Sequence, residues 1–332
     1  MFAWAAAMKV GNIYVANSAL YLPEEISSLE KAAAQGVVPD DLVATSPYLQ
    51  VHVADDEAWR MGIRAASEVL NGMGIEARRI DYLAYAGVSI VEEEPYSPAH
   101  RMARLLGATD AVAVNLKQMS NAGSEAVRQS LLHLAVEQDT EVCVAVASSD
   151  HRGLPYPRWS SLPGVVLGDG AAALLLTRRP GKLEILSIAV GGDVSTENKF
   201  PARHPYRPTE GNRRPDFSTG PYVVAAMRRL TRRVVGRALA DAAIKPDDSA
   251  VTRFLPPRMG MLFHRVHFQP GIEIDRDRVR ILGGETGHLG AGDLIANIHE
   301  LLADDTFMPG EIAIALSLGA GMTASCAVLR RP

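Results

Sequence analysis

The sequence predicts an α/β fold of two βαβ-rich halves related by a pseudo-dyad, residues 8–180 and 181–332, and three observations predict it. Short apolar runs ending in Gly or Ser alternate with longer stretches of helical periodicity along the 332 residues. A weak internal repeat keeps its order from one half to the other. Aromatic residues make up only 6% of a chain that is 47% hydrophobic and rich in Ala and Val, a composition that suits buried sheets under closely packed helices.

Taken in order, residues 1–7 (MFAWAAA) are expected to be an upstream extension, with Met8 opening the folded part. Helical periodicity runs over 55–74, and 79–90 (RIDYLAYAGVSI) reads as a buried strand. In LKQMSNAGSEA (116–126) a strand ends and a helix begins. Strands follow at 141–150 (EVCVAVASSD) and 171–179 (AAALLLTRR). Residues 191–220, rich in Gly, Pro, Asn, Asp and Arg, read as a long connection. A helix is expected over 221–244 and a last buried strand over 311–321. Cys143 and Cys326 each sit inside an apolar strand-like run, where a buried structural thiol is expected rather than a disulfide or a nucleophile. Unpaired thiols point to a reducing cytoplasm.

Charge and spacing narrow the function. A net charge of −4 argues against nucleic-acid binding, and no apolar run reaches membrane-spanning length. His264 and His267 in HRVH have no Cys or acidic cluster beside them, so no metal is expected. The acidic turn at 92–95 (EEEP) reads as solvated, and 203–208 (RHPYRP) lies in a loop long enough to fold over a cleft.

GGETGHLGAGD (283–293) sets His288 and Asp293 five apart among five glycines. A histidine with a carboxylate in reach can be held as a general base in one tautomer. In the repeat, 112–131 matches 279–298, which makes Ser120 the counterpart of His288. A pseudo-dyad would bring the two together, with Asp293 behind the imidazole, in the roles of a Ser-His-Asp constellation. The plain alternative for Ser120 is a helix N-cap, and for 283–293 a surface loop whose His and Asp never meet.

On these residues the sequence resembles the thiolase superfamily and, within it, the ketoacyl-ACP synthase III branch. NLKQMSNAGSEA resembles that branch's nucleophile turn, with Ser120 in place of the cysteine. GDGAAALLL (168–176) resembles its GDGAGAVVL segment, and LGAGMTASCAVLR (318–330) its C-terminal turn and strand. The resemblance implies a five-layered α-β-α-β-α arrangement and an oxyanion hole made by the backbone N–H groups of Ser120 and Ala320. It also implies a homodimer joined through a strand of the first half, for which 141–150 is the matching stretch. The family's histidine falls on Pro257, its asparagine on His288, and the last serine of its asparagine motif on Asp293. Ser-His-Asp thus replaces Cys-His-Asn, which puts condensation in doubt while leaving acyl transfer equipped.

The resemblance is strongest to relatives that prime antibiotic polyketide synthases with starter units, those of daunorubicin-type pathways among them. It implies an acyltransferase that moves an acyl group from acyl-CoA or acyl carrier protein, through acyl-Ser120, to a carrier thiol or a hydroxyl, with no tightly bound cofactor. A starter-unit condensing synthase and a non-catalytic partner subunit are the alternatives. The family's adenine-flanking arginine falls on Ser161, leaving Arg158 and Trp159 as substitutes. Arg228, Arg229, Arg232, Arg233 and Arg237 of the 221–244 helix are candidates for docking an acidic carrier protein, the alternative being a solvated or internally paired basic face.

Overall fold

The computed structural model describes residues 11–38, 43, 46, 48–89, 97–153, 158–160, 164–199, 220–272 and 274–332. The 1–7 extension, the 92–95 turn, Ser161 and the 203–208 segment lie outside the described residues.

The strands are β1 (Tyr14–Tyr21), β2 (Ile26–Ser28), β3 (Gln50–His52), β4 (Tyr82–Ser89), β5 (Val112–Leu116), β6 (Val142–Asp150), β7 (Gly170–Thr177), β8 (Leu183–Gly192), β9 (Val251–Leu255), β10 (Ile312–Gly319) and β11 (Thr323–Arg330). The helices are α1 (Leu29–Ala34), α2 (Ala58–Asn71), α3 (Pro98–Leu106), α4 (Ala122–Val136), α5 (Pro221–Ala242), α6 (Gly260–Phe263) and α7 (Asp293–Ala303). Apart from the β2–β3 ribbon, the strands form one sheet in the order β5-β4-β6-β7-β1-β8-β11-β10-β9. Read outward from the β1–β8 junction, both sides begin with antiparallel pairs and end in parallel pairing, β6–β4 and β4–β5 on one side and β10–β9 on the other.

Burial separates five layers. Alternate residues of β4, β6 and β7 (Leu83, Val144, Leu175) pack under α2 and α3, with Met61, Val69 and Met102 from the helices. The other face of those strands (Ala84, Cys143, Leu174) and one face of β10 and β11 (Ala315, Ala327) close over α4 and α7, whose Leu131, Leu294 and Ile298 fill the middle. The far face of β10 and β11 (Ile314, Cys326, Val328) packs on Leu230 and Val234 of α5. Strands buried on both faces have no polar side, which is why β6, β7 and β10 read as continuous apolar runs. This is the expected α-β-α-β-α order. Two helices at the centre bring their N-terminal turns together, and the candidate site forms there.

The 221–244 helix ends at Ala242, where Ala243 turns left-handed (φ 58°). The 191–220 connection is shorter at its start than its composition implies. Strand β8 continues to Gly192, and a 3₁₀ segment covers Val194–Lys199. The strand expected to join two copies is misplaced: β6 is hydrogen-bonded by β4 on one side and β7 on the other. With both edges filled it cannot pair with a second chain. The open edge of the first half belongs to β5.

Candidate active site

The chain leaves β5 and reaches Ser120 through a strained corner. Met119 has φ 51°, a left-handed conformation that costs a non-glycine residue about 1–2 kcal/mol. Ser120 then sits in the 3₁₀ turn Met119–Asn121 that leads into α4. This aims its side chain away from the helix body, as a strand-to-helix corner does for nucleophilic serines. Asn121 is fully buried below it, and the Ser317 hydroxyl of β10 donates to the Ser120 carbonyl at 3.4 Å.

His288 arrives from the other half on a segment that pairs with residues 166–168. Its N–H donates to the Val166 carbonyl (2.8 Å), and its carbonyl accepts from the Gly168 N–H (3.0 Å). The glycines of this region make the close approach possible. A Cβ on Gly168 would lie 1.8 Å from the Thr286 carbonyl, and one on Gly287 (φ 66°) 2.6 Å from the Val166 carbonyl. The 283–293 stretch is therefore neither a loose loop nor ordinary core. It is backbone packed against backbone, with the His288 and Asp293 side chains buried in it.

The three expected residues meet. Ser120 Oγ lies 2.9 Å from His288 Nε2, across 168 positions of sequence. On the other side of the ring, His288 Nδ1 lies 2.6 Å from Asp293 Oδ2. An ionised carboxylate only accepts hydrogen bonds, so Nδ1 carries the proton and Nε2 is left to accept from the serine hydroxyl. Asp293 begins α7, where the helix dipole favours a negative side chain. Its carboxylate takes two further donors, the Leu289 N–H on Oδ1 and the Arg258 N–H on Oδ2, both at 2.8 Å. His288 and Asp293 are 4% and 1% exposed, whereas Ser120 is half-buried, so the set opens at Ser120.

The turn between β10 and β11 lies against this corner. A Cβ on Gly319 would stand 2.6 Å from the Gln118 carbonyl and 2.8 Å from the Asn121 nitrogen, so the two backbones touch. Ala320, the expected second oxyanion donor, is the next residue and is exposed. Pro257 offers no acid or base. Its carbonyl accepts from the Met259 N–H at 2.7 Å, which closes a tight turn.

Other expected roles fare differently. Arg158 is held by Asp169, with two contacts of 3.2 Å, and Trp159 is buried with its ring N–H donating to Ser27 Oγ. Both side chains are engaged by partners inside the fold. On α5, Arg228 donates twice to the Val266 carbonyl and Arg233 to the Gly192 carbonyl. Arg229 pairs with Asp193 at 3.6 Å and Arg237 with Asp241 at 3.9 Å, while Arg232 is exposed. Four of the five thus have partners in their own chain. Among the described residues no group of His, Cys, Asp and Glu could hold a metal ion, and no helix is long and apolar enough to cross a membrane.

The residue that sequence reasoning missed is Arg258. It is fully buried, its N–H reaches Asp293, and its guanidinium reaches the turn that carries His288. An arginine next to two prolines offers no pattern from which this could be read.

Comparison with known proteins identifies the fold. Its fold is the thiolase fold in the form of ketoacyl-ACP synthase III, and residues 239–331 match the family model described as the C-terminal part of 3-oxoacyl-[acyl-carrier-protein] synthase III. Among particular structures it is similar to ChlB3, described as an acyltransferase, with 24% identity and a TM-score of 0.84 over 96% of this chain and 97% of that one. It also resembles 3-oxoacyl-(acyl carrier protein) synthase III of Pseudomonas aeruginosa PAO1, with 21% identity and a TM-score of 0.78 over 96% and 98% of the two chains. The priming β-ketosynthase of the R1128 polyketide pathway is similar at 17% identity and a TM-score of 0.79, over 96% and 97%. No curated protein sequence matches the chain.

Proposed function

We propose that the chain is an acyltransferase that carries its acyl group on Ser120. The observation behind this reading is the continuous line from Ser120 Oγ through His288 to Asp293, at 2.9 and 2.6 Å. In the first half-reaction the Ser120 hydroxyl gives its proton to His288 Nε2 while Oγ attacks the carbonyl carbon of an acyl thioester. The carbon–sulfur bond breaks, and the departing sulfur takes the proton back from the imidazolium. In the second, a carrier thiol or a hydroxyl gives its proton to His288 and attacks the ester, and Ser120 leaves reprotonated. Asp293 holds the ring and balances the imidazolium formed in each half. The N–H groups of Ser120 and Ala320 are the proposed donors to the tetrahedral oxyanion.

A serine suits this ping-pong better than it suits condensation. Its hydroxyl is far less acidic than a thiol and needs an oriented base, the role proposed for His288. The described names of similar structures, an acyltransferase and a polyketide priming synthase, support an acyl-CoA or acyl carrier protein donor and a place in polyketide antibiotic biosynthesis. The second name equally favours starter-unit condensation as an alternative. A non-catalytic partner subunit is disfavoured by a histidine and an aspartate buried in working geometry. In this reading the protein works in the cytoplasm, and Arg232 and its neighbours on α5 are the proposed carrier-facing charges.

Intact-protein mass after incubation with a panel of acyl-CoA and acyl carrier protein thioesters tests the reading. One acyl group should appear on the wild-type chain and none on Ser120→Ala. Acylation of Ser120→Ala would remove the proposal, and carbon dioxide release from a malonyl carrier would favour the condensing alternative.

A further inference from the structure

We infer that Arg258 is a positioning residue that locks the base and its aspartate into one rigid unit, an inference that rests on the Ser120–His288–Asp293 reading. Asp293 and His288 belong to different elements, the start of α7 and the glycine-rich turn before it, and something must fix the distance between them. Arg258 bonds to both elements. Its backbone N–H donates to Asp293 Oδ2 at 2.8 Å. Its guanidinium has three partners: Nε donates to Asn297 Oδ1 (2.9 Å), Nη1 to Thr286 Oγ1 (2.8 Å) and Nη2 to Glu300 Oε1 (2.5 Å). Asn297 and Glu300 lie on α7; Thr286 lies two residues before His288.

The surroundings hold the arginine in turn. Tyr48 donates its hydroxyl to the Arg258 carbonyl at 3.1 Å, and the Asn297 amide donates to the Pro256 carbonyl at 2.9 Å. Gly283, at φ 91°, leaves room for the arginine stem: a Cβ there would come within 2.9–3.1 Å of Arg258 Cβ, Cγ and Cδ. Thr286 passes the restraint on, because its hydroxyl also donates to the Gly287 carbonyl at 3.0 Å, next to His288. A buried guanidinium is costly to desolvate unless its donors are satisfied. Here the planar fork spans helix and turn, which a lysine's single ammonium does not do. Substrate never meets this side chain, since it is fully buried behind the carboxylate. Its influence runs through the placement of His288.

Two variants separate this role from simple stability. Thr286→Val is nearly isosteric and removes the arginine's hold on the turn, and Arg258→Lys keeps the charge but loses the fork. Both should slow single-turnover acylation of Ser120 at saturating thioester by on the order of tenfold to a hundredfold. Thioester affinity, measured in the Ser120→Ala background, should stay within about twofold, because only orientation has changed. The downfield imidazole proton bridging His288 and Asp293 supplies a readout that needs no acyl transfer. By proton NMR it should be sharp in the wild type and broadened by exchange in both variants. Unchanged acylation and an unchanged proton signal in folded variants would overturn the role. So would a rate loss that only matches the fraction unfolded. Loss of the signal in both variants while the wild type takes no acyl group would uphold the positioning role and refute the acyltransferase reading.

Discussion

The chemistry proposed for the site turns on one choice, a serine hydroxyl rather than a thiol as nucleophile. A thiol is partly ionised near neutral pH and tolerates a distant base, whereas a serine needs a neutral imidazole in hydrogen-bond contact. The cysteines this chain does contain are no substitute. Burial pushes the Cys143 and Cys326 thiols well above the usual thiol range. Cys143→Ala and Cys326→Ala should therefore acylate at the wild-type rate, and iodoacetamide should leave both thiols untouched in the native protein at neutral pH, read by intact mass. His288→Ala should reduce acylation by several orders of magnitude in a protein that still folds. Asp293→Asn should slow it about 10⁴-fold, as the corresponding change does in serine proteases, because an amide no longer selects the Nδ1–H tautomer. A silent Asp293→Asn beside a dead His288→Ala would reduce the site to a Ser–His dyad.

At the scale of elements, the two central helices are set by glycines that admit backbone where a side chain would stand. Gly123, in the first turn of α4, shows this most directly, since a Cβ there would lie 2.1 Å from the Ala291 carbonyl. Gly123→Ala should cost about 1–3 kcal/mol by overpacking, seen as a lower thermal midpoint, and should slow acylation by pushing Ser120 away from His288. A wild-type midpoint would show that the helices give way easily. A different element governs acid behaviour. The π-helical turn His264–Phe268 after α6 buries His264 against Phe254 and Phe268 with Nδ1 unpartnered, and burial pushes its pKa from 6.5 down to about 4. The unfolded chain takes this proton at the higher value and the folded chain only at the lower one. Stability should therefore fall as pH drops through that window and lose nothing further from this group below it. His264→Leu should flatten that part of the pH–stability curve measured by urea unfolding.

The same elements show what could be read in advance. Strands buried on both faces and the two long helices announce themselves through unbroken apolar runs or 3.6-residue spacing, so β4, β6, β7, β10, α2 and α5 were legible. β1 and β9 were not, because polar residues such as Asn17 and Arg253 interrupt them and their partners lie far along the chain. Ser120, His288 and Asp293 could be paired because the repeat carries positional information across 168 residues. Arg258 belongs to no repeat and no motif, and its side chain acts through contacts with residues 28 to 42 positions away.

For the whole molecule, the sheet has two ends, and they differ. The outer side of β9 is covered: Phe254 bridges to Val279, and its carbonyl accepts from the Arg280 N–H at 2.9 Å. At the other end β5 pairs with β4 only, and among the described residues no strand lies beyond it. Five residues of unpaired edge, with Val112 57% exposed, form a template for another strand, and natural proteins rarely leave such an edge bare. The expected homodimer is accordingly proposed to form by β5 pairing with β5 across a two-fold axis, in place of the pairing through β6 that the fold forbids. This arrangement also reaches the site, since β5 runs straight into the corner that holds Ser120. The Val112 N–H points inward, donating to the Asp81 carbonyl at 2.9 Å, so alternation along the strand turns the Ala113 N–H outward. Ala113→Pro removes that outward donor while sparing the bonds to β4, as an edge strand permits. Light scattering at micromolar concentration should give a dimer for the wild type and a monomer for Ala113→Pro, with the far-ultraviolet circular dichroism of the two alike. Loss of the dimer should also slow acylation of Ser120, because the strand that positions Met119 and Ser120 loses its outer support. A monomeric wild type would end the β5 proposal, and a dimeric Ala113→Pro would move the interface to another face.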